Sequence, residues 1–367
     1  MNFCFFNAYP GFGGLEIQMV KRAIDASDLG YSYFIFTLKD SKADLLSRKN
    51  NLNIENIPNY FRYLDIFSAY IISKILNKQS TDICIVGKTE SIGLLSLARK
   101  FCKKKFKIVL YQQMQSGIIK KDIYHNWVYK NLDAAIVLTN IMKKELSETT
   151  IFPKEKIKAI PYGIELEKFN PQNNNKQNLR AKFGLPQDSF IIACIGRIEE
   201  HKGQQVLTQA FIKAKLQNSF LVICGSADDK EYFDYILKEI KANELQNSFK
   251  YIPFIENVNE LLACLDVFVM PSNSETFGLV LIEAMASGLA VIGTNSGGVP
   301  EIITNKRNGL IFGQKDINTL SDLLSFYYKN PDIRNVFAKQ ARTDALENYD
   351  YVTQRNKFFE FCESVGS

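Results

Sequence analysis

Several absences narrow the chemistry open to this chain of 367 residues. It has two histidines, and its seven cysteines are scattered with no Cys-x-x-Cys pair, so no transition-metal cluster is expected. It has no Asp-x-Asp triplet to offer paired carboxylates to a divalent ion. No window of about eighteen residues is apolar and free of charge, so no transmembrane helix is expected. The opening MNFCFFNAYPGFGG lacks a basic start and a long apolar stretch, and reads as a first strand and not a signal peptide. Cys4, Cys84, Cys194 and Cys224 lie in apolar strand-like runs, as small core residues of a reduced, cytosolic protein would. Gly87-Lys88-Thr89 looks like the end of a phosphate-binding Walker loop, but that loop needs a glycine where Asp82 stands. Lys88 is therefore expected to be solvated or on a site rim. The net charge of +6 is small for the length and no nucleic-acid motif occurs, so nucleic acid is not an expected partner.

The chain does contain a regular alternation of strands and helices, and its length suggests two domains. In the first half, strands are expected at Asn2–Phe6, Tyr33–Leu38, Asp82–Gly87, Lys107–Gln112, Ala134–Leu138 and Ile157–Pro161, with helical patterns between them. In the second half they are expected at Phe190–Gly196, Phe220–Gly225, Leu265–Met270 and Ala290–Gly293, with Lys250–Ile255 following a helix. This pattern implies α/β architecture with doubly wound parallel sheets. The polar run Pro171–Asn178 reads as a linker, which divides the chain into 1–171 and 172–349, followed by a last helix over about 350–367.

The most informative stretch is Pro271–Glu301, PSNSETFGLVLIEAMASGLAVIGTNSGGVPE. A buried parallel strand ends at Met270 and a polar loop follows. A helix is expected from about Phe277 to Ser287, stopped by Gly288. Open α/β sheets place ligands at such a loop. Glu275 is in the loop and Glu283 in the helix body. A carboxylate in a largely apolar helix needs a partner, and the two hydroxyls of a sugar diol suit its two oxygens. Thr276, Phe277, Gly278 and Leu279 open the helix, where free N–H groups favour a phosphate. Gly297-Gly298 permits close approach of backbone to a ligand. Earlier, Arg197 and Lys202 bracket a loop leading into a helix, and two cations there can balance the charge of a departing diphosphate.

Glu275-x7-Glu283 within PSNSETFGLVLIEAMASGLAVI, followed by GGVPE, resembles the family 4 glycosyltransferases, the retaining glycosyl transferases group 1 of GT-B fold. Arg197 and Lys202 match that family's Gly-Arg-x(4)-Lys-Gly element, and Gly13-Gly14-Leu15-Glu16 matches its GGxE loop. The resemblance implies two Rossmann-like domains facing a cleft, with the acceptor in the first and a nucleotide diphosphate sugar in the second. It assigns Glu283 to the ribose, Glu275 to the donor sugar, Arg197 and Lys202 to the diphosphate, and backbone groups around Phe254 to the base edge, with Phe254 as a core residue the alternative. Backbone donors would come from Gly13, Gly14 and Thr276 to Leu279. Gln113 stands where many members carry a histidine; it can hydrogen-bond but cannot titrate near neutral pH.

The implied activity is metal-independent transfer of a sugar from a UDP- or GDP-sugar to a glycan or lipid-linked acceptor, with retention and without a cofactor. It would serve cell-surface glycan or lipopolysaccharide synthesis from the cytoplasm. A sugar-nucleotide epimerase and a non-catalytic nucleotide-sugar-binding subunit are the alternatives. The resemblance also implies that the last helix crosses back to the first domain, with Phe358, Phe359 and Phe361 as candidate contacts. Residues 1–170 hold 25 Lys and Arg against 16 Asp and Glu, while 171–367 hold 20 against 23. The basic run Arg99–Lys107 makes an anionic membrane surface a candidate partner, with a plain solvated helix end as the alternative.

Overall fold

The computed structural model describes every residue except 61–64, 174 and 367. Residue 174 of the expected linker and residue 367 of the expected last helix thus lie outside the described residues. The chain divides into one unit of Met1–Pro161 with Gln354–Ser367, and another of Tyr162–Thr353. This division falls before the boundary expected at residue 171. The backbone of Ile164 donates to Tyr349 O and accepts from Tyr351 N, at 2.9 and 3.0 Å, which ties this segment into the second unit.

The first unit is a seven-stranded sheet in the order β3-β2-β1-β4-β5-β6-β7. Its strands are β1 (Asn2–Phe6), β2 (Ser32–Leu38), β3 (Ile54–Ile57), β4 (Ile83–Val86), β5 (Lys107–Gln112), β6 (Ala134–Val137) and β7 (Ile157–Ala159). All pairings are parallel. Central strands such as Ile83–Val86 are buried along their whole length, because helices cover both faces of a parallel sheet. The edge strand β3 was not expected from the sequence; it is half-exposed and lacks a continuous apolar run. Within this unit, residues 354–366 of the helix Tyr351–Gly366 bury Phe358 and Phe359. The Phe359 ring lies 5.4 Å from Phe3 and 5.2 Å from Tyr31, and Phe358 lies 5.1 Å from Tyr111. All seven cysteines are buried thiols.

The second unit is a six-stranded parallel sheet in the order β10-β9-β8-β11-β12-β13. The strands are β8 (Phe190–Ile195), β9 (Ser219–Cys224), β10 (Phe249–Ile252), β11 (Val267–Met270), β12 (Ala290–Thr294) and β13 (Leu310–Phe312). Ile192, Leu221, Val269 and Ile292 form its core with Leu324 and Tyr327 from the helix Ile317–Lys329. Strand order reverses between β8 and β11, which pair directly through Val267 with Ile192 and Phe268 with Ala193. The chain leaves these two neighbours at the same end of the sheet, so the loop at Arg197 and the loop at Glu275 meet at a topological switch point. Both sheets are of the Rossmann type. Among the described residues no helix is long and apolar enough to cross a membrane.

Candidate active site

The switch point of the second unit brings two loops together. Gly203 adopts φ +71°, and a Cβ there would lie 2.1 Å from the Pro271 carbonyl oxygen. Only a glycine lets the first loop press onto the second. Asn273 N donates to His201 O at 2.8 Å, lacing them further. Lys202 Nζ thereby lies 2.9 Å from Glu275 Oε2, both side chains mostly buried. On the other side, Gly298 N donates to Glu275 O at 2.9 Å. A Cβ on Gly297, at φ +53°, would stand 1.8 Å from that same oxygen. The close approach that this Gly-Gly loop allows is therefore to the backbone of Glu275, which it holds in place.

The helix after this loop begins at Leu279 and not near Phe277. Gly278 precedes it with φ +93°, a left-handed conformation that no helical residue adopts. Thr276 and Phe277 consequently belong to the loop. Phe277 is buried, its ring edge-on to Tyr162 at 5.3 Å. Glu283 is half-buried on the helix and lines a cavity of about 640 Å³ together with Arg197, Lys168 and Phe254. Phe254 is 71% exposed there, an apolar surface presented to the cavity. A smaller cavity of about 210 Å³ is lined by Lys202, Glu275, Leu279 and Gln204. Arg197 lines both.

The electrostatics of the site are paired. Arg197 Nη2 lies 2.9 Å from Glu199 Oε1, and His201 Nε2 lies 3.1 Å from the same oxygen. Each of the two cations therefore has a carboxylate neighbour. Gln204, fully buried, donates to Arg197 O at 2.7 Å. Burial pushes the Cys194 thiol up to about 12 although the Lys202 ammonium opposes the shift. It is a neutral thiol near pH 7 and not a nucleophile. Among the described residues no group of three His, Cys, Asp or Glu is placed to hold a metal ion. The arrangement offers two cations to a polyanion and two carboxylates to hydroxyl groups.

The remaining candidates lie in the first unit and line neither cavity. Gly13 caps the helix Gly14–Asp28, and its N–H donates to Glu16 Oε2 at 2.8 Å. Lys88 is one-third exposed; it pairs with Glu16 Oε1 at 2.8 Å and stands 4.2 Å from the Tyr9 ring centroid. Gln113 is buried just beyond the end of β5. His125 is half-buried on the helix Ile123–Lys130 and contacts Asp122. The sequence did not single out Glu199, Gln204 or Lys168. Glu199 sits in a charged run, Arg197-Ile198-Glu199-Glu200-His201-Lys202, that reads as a solvated turn. The only signal for Glu199 is its closeness in sequence to Arg197.

The glycosyl transferases group 1 family matches residues 175–344, which fall within the second unit. An uncharacterised glycosyltransferase of Methanocaldococcus jannaschii is 28% identical over 221 residues, 59% of this chain and 56% of that protein. The chain thus matches little more than half the length of that relative. A glycosyltransferase structure from Rickettsia africae superposes with a TM-score of 0.87 at 21% identity, covering 99% of this chain and 98% of that one. The Anabaena protein HepE, solved in complex with UDP, gives 0.85 at 17% identity, covering 99% and 100%. At these identities the structural likeness establishes the fold, and the fold is GT-B. The match runs through the domain that carries Arg197, Lys202, Glu275 and Glu283, and over that domain the chain resembles the glycosyl transferases group 1.

Proposed function

We propose that the protein transfers a sugar from a nucleotide diphosphate sugar to an acceptor hydroxyl, with retention at the anomeric carbon and without a metal ion. The observation that carries this reading is the position of Arg197 on both cavities. The larger holds Phe254 and Glu283, and the smaller holds Lys202 and Glu275. A nucleoside fits the first, with its base against the exposed Phe254 ring and its ribose diol donating to the Glu283 carboxylate. The diphosphate then lies at Arg197 and Lys202, and the sugar at Glu275. That HepE was solved with UDP supports a nucleotide-sugar donor.

In the reaction the bond from the anomeric carbon to the diphosphate oxygen breaks. The acceptor oxygen bonds to that carbon on the same face, and the acceptor proton passes to the departing phosphate oxygen. Charge builds on the diphosphate as it leaves, so Arg197 and Lys202 act mainly on turnover. This route needs no protein base, so a glutamine at position 113 is compatible with it. Gly13, Gly14 and the loop of Thr276 to Leu279 are assigned to the donor, and Gln113 belongs to the acceptor-binding unit. Within the family we place the chain among the family 4 enzymes, acting in the cytoplasm on a glycan or lipid-linked acceptor in cell-surface glycan or lipopolysaccharide synthesis.

We propose an anionic membrane surface as a further partner, met by the loop after β5 more than by the basic run Arg99–Lys107. Lys104 contacts Asp82, and Lys105 donates to the Arg99 carbonyl at 2.7 Å. The loop after β5 and the first residue of the helix that follows it offer more, because Met114, Ile118, Ile119 and Ile123 are 65%, 64%, 72% and 91% exposed beside Lys120 and Lys121. Its backbone is anchored, with Ser116 N donating to Glu145 Oε1 and Lys120 N to Thr149 O. Exposed aliphatics flanked by lysines suit a lipid headgroup boundary.

The donor reading is tested by screening nucleotide sugars for thermal stabilisation and measuring affinity for the strongest hit by calorimetry. Glu283→Gln should weaken it by about 1.5–3 kcal/mol, the range of a hydrogen bond to a charged group. Unchanged affinity with the fold intact would remove Glu283 from the ribose.

A further inference from the structure

Arg197 is a long side chain, 64% exposed, on a loop. Nothing in its own sequence context explains how such a group would be aimed. The structure holds it at both ends. Its carbonyl accepts from the buried Gln204, and the next residue, Ile198, is fully buried with its N–H donating to Ser226 O at 2.8 Å. Its guanidinium lies against Glu199, 2.9 Å from Oε1. Glu199 is only 21% exposed, with His201 Nε2 3.1 Å from the same oxygen. Its carbonyl meanwhile accepts the Lys202 N–H at 2.9 Å, closing the turn that carries the second cation. One residue therefore touches both cations of the site, one by side chain and the other by backbone.

We infer that Glu199 is a positioning residue, whose carboxylate fixes the Arg197 guanidinium between the two cavities before any donor arrives. A guanidinium has five donors in a planar fork. One edge can stay on Glu199 while the others meet a diphosphate oxygen, so the pair need not break for the ligand to bind. Ordering this side chain in advance removes a cost that binding would otherwise carry. The opposite role is conceivable for a carboxylate here. A competitor would occupy Arg197 and repel the diphosphate, and its removal would tighten binding. The sign of the effect separates the two roles.

This inference rests on the proposed diphosphate role of Arg197, and the experiment distinguishes the two. UDP and GDP, each with its parent nucleoside, are titrated by calorimetry into wild type, Arg197→Ala, Glu199→Ala, Glu199→Gln and the double alanine variant. Thermal unfolding is recorded for each. The preference for diphosphate over nucleoside should fall about tenfold in both single alanine variants, as expected for one charge-assisted hydrogen bond. The double variant should match Arg197→Ala, because Glu199 acts only through that side chain. Glu199→Gln keeps the size but removes the charge, and because Arg197 is held by an ion pair and not by a hydrogen bond the preference should fall as it does in Glu199→Ala. An unchanged preference in Arg197→Ala would overturn the diphosphate reading itself. A loss in Arg197→Ala alone, a gain in Glu199→Ala, or additive losses in the double variant would overturn only the positioning role.

Discussion

Gly297→Ala gives a sharp test of how the donor loop is held. A Cβ at this position would stand 1.8 Å from Glu275 O and 2.8 Å from Glu275 C. Ordinary contact of carbon with oxygen is about 3.3 Å, so the Glu275 backbone must retreat by roughly 1.5 Å. The substituted residue must also stay at φ +53°, at a cost of about 1–2 kcal/mol for an alanine. That energy alone lowers the melting temperature by only a few degrees in a unit of this size. The displacement matters more, because a misplacement of about 1 Å can reduce turnover on the order of 100-fold. We therefore expect a folded variant with donor turnover reduced about 100-fold or more. Gly313→Ala is the control, since its Cβ would meet nothing nearer than the Asp316 Cβ at 3.6 Å. Assays of nucleotide release, paired with calorimetric melting, decide the matter. Wild-type turnover in Gly297→Ala, or a loss matched by Gly313→Ala, would refute the reasoning.

Other outcomes follow from the same structure. If Arg197 and Lys202 supply the charge that a divalent ion would, as proposed, transfer should survive excess chelator; loss restored by magnesium or manganese would overturn this. The thiols of Cys194 and Cys224 are pushed up to about 12 and that of Cys264 to about 11, in each case first by burial. A raised folded-state value holds its full stability below the unfolded thiol range near pH 8.5 and loses it as pH climbs toward the folded values. Urea midpoints should fall from about pH 8.5 to 11, with each such thiol adding a slope of about 1.4 kcal/mol per pH unit; flat midpoints would contradict the burial. Vesicles containing anionic lipid should pellet the protein at low salt and release it at high salt. Changing Ile118, Ile119 and Ile123 to Ser should abolish that binding, whereas changing Lys103 and Lys104 should weaken it little; the reverse ranking would sink the loop assignment.

Much of this architecture is legible in the sequence, for a physical reason. Strands such as Ile83–Val86 and Val267–Met270 are buried on both faces, so they read as unbroken apolar runs. The edge strand Ile54–Ile57 carries Glu55 and Asn56 and reads as loop, since only its pairing with β2 makes it a strand. Glu275 and Glu283 stand out because an acid is costly in such apolar surroundings. Glu199 and Lys88 do not, since charged residues in loops are usually solvated. Their partners, Arg197 and Glu16, are set by how the turns fold. The start of the helix at Leu279 depends on the backbone angle at Gly278, which composition does not reveal. Gly297 was legible as a point of close approach, but not that the approaching group is the protein's own Glu275 carbonyl.

Whether the site of Arg197, Lys202, Glu275 and Glu283 transfers a sugar from a nucleotide diphosphate donor, as proposed, is open to direct test. The most direct measurement is a mass balance by mass spectrometry, with the donor chosen by thermal stabilisation and a panel of glycan and lipid-linked acceptors. One nucleoside diphosphate should appear for each glycosylated acceptor, in wild type but not in Lys202→Ala. Donor consumed without acceptor to give an epimer, or a stabilising donor left intact with every acceptor, would contradict it.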